Sequence, residues 1–267
     1  MSERATVQAH ESLDYAERWL RDGLRVLRPA LSVMHITVDM THANERLEQL
    51  RQRGIHATST HLLVHAVATA LAGQPGLHQV IAGNKRYRPD RIDIGLSTIG
   101  DTFVAPVLVI EGAERKTVAE LADEIARRTP EVRQADQQML RALRRWGWLL
   151  PFGFLRRGLL RVLFASAEFR RRGAGTFQVS TVPADWALTS TFATAGVLVA
   201  GQVWSRVIAV AGQPAVRPVM TLTLSGDHGV WDGRAAARFL ASVKGLLETR
   251  HERDKPAGRE SPVSPGD

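Results

Sequence analysis

Apolar residues recur at helical spacing from the first segment onward. Leu13, Ala16, Leu20, Leu24 and Leu27 fall on one face of a helix predicted over 11–27. Residues 31–40 alternate well enough to predict a strand. Thr41 can cap a helix running through Arg53, which Gly54 ends. Ser59 or Thr60 caps the next, over 61–72, and its nearly unbroken apolar character predicts burial. Residues 73–76 break it. Short strands follow near 78–81 and 85–88, and 93–99 pairs with 103–110 around Gly100 and Asp101. Thr117 caps a helix to Arg128. Strands resume over 176–181, 197–210 and 215–225, with Gly212, Gln213 and Pro214 as a hairpin turn between the last two. A helix over 234–247 completes the pattern. Helices and strands mix without strict alternation, and the late strands form hairpins. That predicts an α/β (mixed α+β) class with helices on a mixed sheet, in one domain over 1–249. Residues 250–267 are charged and rich in Pro and Gly, which predicts a disordered tail.

Residues 130–172 fit this scheme least. They combine helical periodicity with Trp146, Trp148, Pro151 and many arginines. Over 144–161 aromatic and aliphatic residues are interleaved with arginine, which predicts a helical insertion or lid, or one wall of a tunnel. A membrane-surface helix and a plain packed insertion are the other readings.

Composition narrows the picture. A chain of 267 residues with 44% hydrophobic content can bury a sizeable core. The formal net charge of +8 attracts anions, whether nucleic acid, lipid or a small molecule such as CoA. The arginines crowd into 127–172 and do not alternate with stacking aromatics along the chain, so no nucleic-acid partner is expected. There is no cysteine, hence no disulfide and no thiolate nucleophile. Residues 1–8 are polar and carry no signal-peptide core, and no apolar run reaches a membrane span. A cytoplasmic protein without membrane contact is the expectation.

The most informative stretch is Leu222-Thr223-Leu224-Ser225-Gly226-Asp227-His228-Gly229-Val230-Trp231-Asp232-Gly233. It reads as a strand running into His-x-x-x-Asp-Gly and then a helix. A histidine at a strand mouth, three residues before an Asp-Gly turn, resembles the arrangement of acyltransferases that use a CoA-type thioester, in which the histidine is a general base. Three more blocks stand in order before it. They are Thr60 to Leu71 followed by Pro75-Gly76-Leu77, then Ile92-Asp93-Ile94-Gly95-Leu96 with Phe103-Val104-Ala105-Pro106-Val107, and then Gly175-Thr176-Phe177-Gln178-Val179-Ser180.

Together these blocks resemble the catalytic domain of the dihydrolipoyl acyltransferases of 2-oxo acid dehydrogenase complexes, whose fold chloramphenicol acetyltransferases share. The family usually reads Leu-Ser-x-Asp-His-Arg-x-x-Asp-Gly-Ala at the last block. The resemblance implies a chloramphenicol acetyltransferase-like two-layer sandwich, with an active site between neighbouring subunits of a homotrimer. It implies that His228 is the general base, held in one tautomer by a hydrogen bond to its own backbone. Asp232 would hold the loop by pairing with an arginine, Arg25 or Arg28 being the candidates. Ser180, with Thr181 as its rival, would donate to the tetrahedral oxyanion.

Some positions depart from the family. Gly229 replaces its usual arginine, Trp231 is bulkier than the usual Val or Ile, and Thr181-Val182-Pro183 replaces Asn-Leu-Gly. If these positions border the acceptor channel, they argue against dihydrolipoamide as acceptor. His61 and His65 have metal-ligand spacing on one helix face, but no third ligand accompanies them, so no metal is expected. The expected function is direct acyl transfer, by acetyl-CoA or another acyl thioester on CoA or an acyl-carrier protein. The acceptor would be a hydroxyl of a small molecule, as in antibiotic, polyketide or tetronate tailoring. No tightly bound cofactor is expected. The alternatives are a dihydrolipoamide acyltransferase working with a separate lipoyl protein, and a non-catalytic trimeric binding module.

Overall fold

The computed structural model describes residues 14–26, 31–82, 85–100, 102, 104–191 and 193–249. The expected tail over 250–267 and Arg28 lie outside them, as does the side chain of Arg25. The longest ladder joins β1 (Leu31–Asp39) to β9 (Gln213–Asp227), antiparallel, with Leu31 opposite Asp227 and Asp39 opposite Val219. Outward from β9 on its other side come β7 (Gly196–Ala200), β6 (Phe177–Thr181), β4 (Ile94–Ser97) and β5 (Val107–Ile110). The β4–β6 and β6–β7 pairs are parallel and the rest antiparallel, so the sheet is mixed as expected. β2 (Val80–Ala82) and β3 (Lys85–Tyr87) form a separate hairpin.

One face of the sheet is covered by α2 (Thr41–Gln52), α3 (Ser59–Ala72) and α7 (Gly233–Glu248). This is the second layer of the sandwich. Strand alternation directs Phe177, Leu198, Leu222 and Leu224 to that face, where they meet Leu63, Leu71 and Phe239 in one buried cluster. Phe177 and Phe239 lie 5.4 Å apart between ring centroids, the tilted contact aromatic pairs favour.

Three sequence expectations are corrected. The predicted strand over 197–210 is two strands, β7 and β8 (Trp204–Val210). The chain leaves the sheet at Gly201, where a Cβ would lie 2.3 Å from the Asp185 carbonyl oxygen, and Gln202 N–H donates to the Ala184 carbonyl at 2.8 Å. The hairpin turn is Ala211-Gly212, with φ of 49° and 79°, the backbone a two-residue turn needs to match strand twist. Pro214 instead sits in β9 opposite Ala209 of the edge strand β8, where a missing N–H is tolerated.

The third correction concerns α4. It spans Val118–Trp146 and runs straight through Pro130. Thr117 caps it as expected, accepting from Glu120 N–H while the Glu120 carboxylate accepts from Thr117 N–H at 2.8 Å. An interior proline costs a helix about 3 kcal/mol. Packing offsets it, because the second half of α4 buries Leu140 and lies against α1 (Tyr15–Val26). Beyond it come α5 (Gly153–Ala165) and α6 (Ala167–Ala174). α1 and α5 are joined by a buried ion pair, Arg156 to Asp22 at 2.8 Å. Residues 130–172 are largely helical, and of these helices α4 and α5 pack on α1.

Candidate active site

β9 delivers His228 one residue past the end of the strand. Asp227 N–H donates to the Ala195 carbonyl at 2.9 Å, and Val230 N–H donates back to the Asp227 carbonyl at the same distance, closing the turn. The His228 Nδ1 lies 3.1 Å from the carbonyl oxygen of Trp231. A carbonyl can only accept, so Nδ1 carries the proton and Nε2 keeps its lone pair. The fixed tautomer expected from the sequence is present, but its anchor is the Trp231 carbonyl and not the histidine's own backbone.

Trp231 sets that anchor. Its ring is buried, its Nε1–H donates to the Ala195 carbonyl at 3.2 Å, and its edge lies over Gly226. A Cβ at Gly226 would fall 1.8 Å from the Trp231 ring, so this position requires glycine. Trp231 therefore points inward and is no wall of an acceptor channel. Gly229 is exposed and its N–H donates to the Asp227 carboxylate at 2.9 Å. Sequence reasoning missed Gly226 and the scaffolding role of Trp231; the only available signal was a bulky residue beside a histidine motif.

Asp232 caps α7. Its carboxylate accepts from Ala235 N–H at 2.8 Å, and that bond, with lesser help from Arg234 and Arg238, holds the carboxyl below the usual carboxylate range. This backbone partner fixes the turn into the helix, while the expected arginine partners, Arg28 and the side chain of Arg25, lie outside the described residues.

Ser180 stands on β6, whose start is held by Asp93. Thr176 N–H donates to the Asp93 carbonyl at 2.6 Å, and Asp93 N–H donates to the Thr176 hydroxyl at 3.1 Å. Gly175, at φ 76°, passes so close that a Cβ would lie 2.5 Å from the Asp93 carbonyl oxygen. The buried Asp93 carboxylate pairs with Arg91 at 3.0 Å and with Arg171 of α6. Two sequence blocks far apart in the chain therefore meet at the backbone of Asp93.

Ser180 and Thr181 both line a cleft of about 950 Å³. Its other walls include Ser59, Thr60 and Leu63 of α3, Thr129 and Arg133 of α4, and Met220 of β9. His228 is not among its lining residues. The register explains why. Ser180 lies level with Val199, and Val199 with Thr223, so His228 sits two strands across and toward the opposite end of the sheet. Strand spacing and rise place the Ser180 backbone roughly 16 Å from that of Asp227. One subunit does not bring the two groups together.

The α3 wall of the cleft depends on His61. Its Nδ1 accepts from Thr58 N–H at 2.9 Å, an N-terminal cap made by an imidazole. Burial pushes His61 below its usual value near 6.5, and burial also lowers His78, with Glu114 and Asp93 opposing. A depressed histidine favours the folded state when neutral. Its stabilisation is complete above the unfolded value and is lost as pH falls through the folded one. The melting temperature should therefore decline on acidification from about pH 7 to pH 5, and His61→Gln should flatten that decline. An unchanged slope in the variant would assign the effect to other groups.

Comparison with known proteins bears on this geometry. The family model of the 2-oxoacid dehydrogenases acyltransferase (catalytic domain) matches residues 28–139 and 193–253. The chain belongs to this family. Among curated relatives, it is 28% identical over 200 residues to the dihydrolipoyllysine-residue succinyltransferase component of the 2-oxoglutarate dehydrogenase complex of Azotobacter vinelandii. That match covers 73% of this chain and 42% of the relative. It is 27% identical to the lipoamide acyltransferase component of the branched-chain alpha-keto acid dehydrogenase complex of Bacillus subtilis, over 76% of this chain and 42% of that protein. The chain thus spans less than half the length of these relatives. In fold it is similar to a probable dihydrolipoamide acetyltransferase from Listeria monocytogenes, with a TM-score of 0.68 at 19% identity, covering 93% of this chain and 98% of that one. A truncated catalytic core from Thermoplasma acidophilum gives 0.67 at 18% identity, covering 91% and 100%. His228 and Asp232 fall in the part the acyltransferase family model matches. Ser180, α5 and α6 fall in the unmatched stretch 140–192.

Proposed function

We propose that this protein is an acyltransferase that moves an acyl group directly between CoA and a dihydrolipoyl thiol. The observation that carries the reading is the commitment of His228 Nδ1 to the Trp231 carbonyl, which leaves Nε2 as a base. Nε2 takes the proton of the attacking thiol as its sulfur adds to the thioester carbonyl. The tetrahedral oxyanion accepts a hydrogen bond from the Ser180 hydroxyl. The carbon–sulfur bond to the leaving group then breaks, and the departing thiolate takes the proton back from the imidazolium. Asp232 holds the turn and takes no proton. The chain has no cysteine to form an acyl-thioester intermediate.

The relatives named above are components of 2-oxo acid dehydrogenase complexes, which favours a dihydrolipoyl acceptor over the hydroxyl of an antibiotic or tetronate. The sequence argument against that acceptor rested partly on Trp231, and the inward ring removes it. The separation of Ser180 from His228 supports a homotrimer in which one copy's serine meets its neighbour's histidine.

Release of CoA from acetyl-CoA and succinyl-CoA, with dihydrolipoamide and a panel of alcohols, tests the reading. Turnover with dihydrolipoamide is expected to exceed that with any alcohol; acylation of alcohols alone would overturn it. Ser180→Ala should lower kcat by about 10²-fold, the usual effect of removing one oxyanion donor. A loss seen in Thr181→Ala and not in Ser180→Ala would move the role one residue on.

A further inference from the structure

We propose that the outward face of residues 146–162 docks this protein on an anionic lipid bilayer. This stands apart from the acyl-transfer reading and does not depend on it.

The argument begins with α5, which is built inside out. Arg156 points inward and is 6% exposed, while Phe154 and Val162 are 63% and 72% exposed. Leu155 and Leu159 lie on the same outward side, at the i, i+4, i+7 spacing that makes one stripe with Val162. The inward arginine is satisfied by Asp22 at 2.8 Å and by the carbonyls of Leu150 and Pro151 at 2.9 and 2.8 Å. Folding alone therefore turns a charge in and leaves leucine and phenylalanine in water. The stripe continues into the preceding turn, where Trp148 and Phe152 are also exposed and Phe152 stacks on Phe154 at 5.7 Å. An apolar patch of this kind marks an interaction surface.

Charge selects the partner. Between Asp136 and Glu168 the chain carries six arginines and no acidic residue. Arg144, Arg156 and Arg157 are spent on Asp14 and Asp22 of α1 and its N-terminal flank. Arg141, Arg145 and Arg161 are exposed, and Arg145 lies over the ring of Trp146 at 5.2 Å. A second copy meeting this face about a two-fold axis would set arginine against arginine. Lipid headgroups offer the opposite charge, and the acyl boundary takes the aromatic and aliphatic side chains. Among the described residues no helix is long and apolar enough to cross a membrane; a surface contact needs none. This reverses the expectation of no membrane contact.

The test is co-sedimentation of the full chain with phosphatidylglycerol–phosphatidylcholine vesicles and with phosphatidylcholine vesicles alone. The protein should pellet with the first and weaken at about 0.5 M salt, where charge attraction is screened. Phe154→Asp with Val162→Asp should reduce binding by about tenfold, as should Arg145→Glu with Arg161→Glu. All four side chains are exposed, so melting curves should match the parent. Failure of the parent to bind the anionic vesicles overturns the proposal, and so does equal binding by the parent and the variants. A fall in the oligomer mass of the variants by light scattering also overturns it, because the face would then be an interface between copies.

Discussion

Replacing His228 by alanine is expected to lower kcat by about 10²–10⁴-fold, the range for removing a positioned general base. The fold should survive. His228 is exposed, and among the described residues its imidazole makes one hydrogen bond, to the Trp231 carbonyl, so stability should change by about 1 kcal/mol or less. KM for CoA should move little, since the lost interaction is made in the transition state. Circular dichroism melting, with kcat and KM measured side by side, checks both halves. Retained turnover in this variant would remove the base from the mechanism, whatever the family. A large fall in melting temperature would make the activity loss uninformative. In that case His228→Gln, which keeps a polar group in the turn, becomes the deciding variant.

Asp22→Ala should be the most damaging change for stability. It leaves the Arg156 guanidinium in a site where that side chain is 7% exposed, and stranding one member of a buried pair costs about 3–5 kcal/mol. Asp22→Asn should recover part of this by keeping one acceptor for Arg156. Arg157→Ala should cost less, because Arg157 is about one-third exposed and solvent already screens its bond to Asp22. Urea unfolding reads all three. A loss in Asp22→Ala no larger than in Arg157→Ala would mean that α5 does not depend on its buried arginine. An early partial transition would mean that α1 and the inserted helices open before the sheet does.

The sheet was legible in the chain because alternation over 31–40 and 215–225 has one physical reading, a strand. The same holds for the apolar α3 and for Thr117, whose cap opens α4 where expected. What failed was local and had tertiary causes. Pro130 predicts a stop, yet the packing of α4 against α1 carries the helix through it. The apolar run over 197–210 hides the exit at Gly201, which is set by the Asp185 backbone and not by any neighbour in sequence. His228, Asp232 and Ser180 could be named as candidates from their motifs. Their partners could not. The carbonyl that holds His228 belongs to Trp231, and the cap of Asp232 is a backbone amide; neither leaves a mark in residue type.

The distance along the sheet between Ser180 and His228 has a genetic meaning. If each site draws its histidine from one copy and its serine from the next, two dead alleles can make a live particle. Subunits carrying only His228→Ala, mixed at random with subunits carrying only Ser180→Ala, would form roughly a quarter of their junctions from two intact halves. The unit on which selection acts would then be the junction and not the chain.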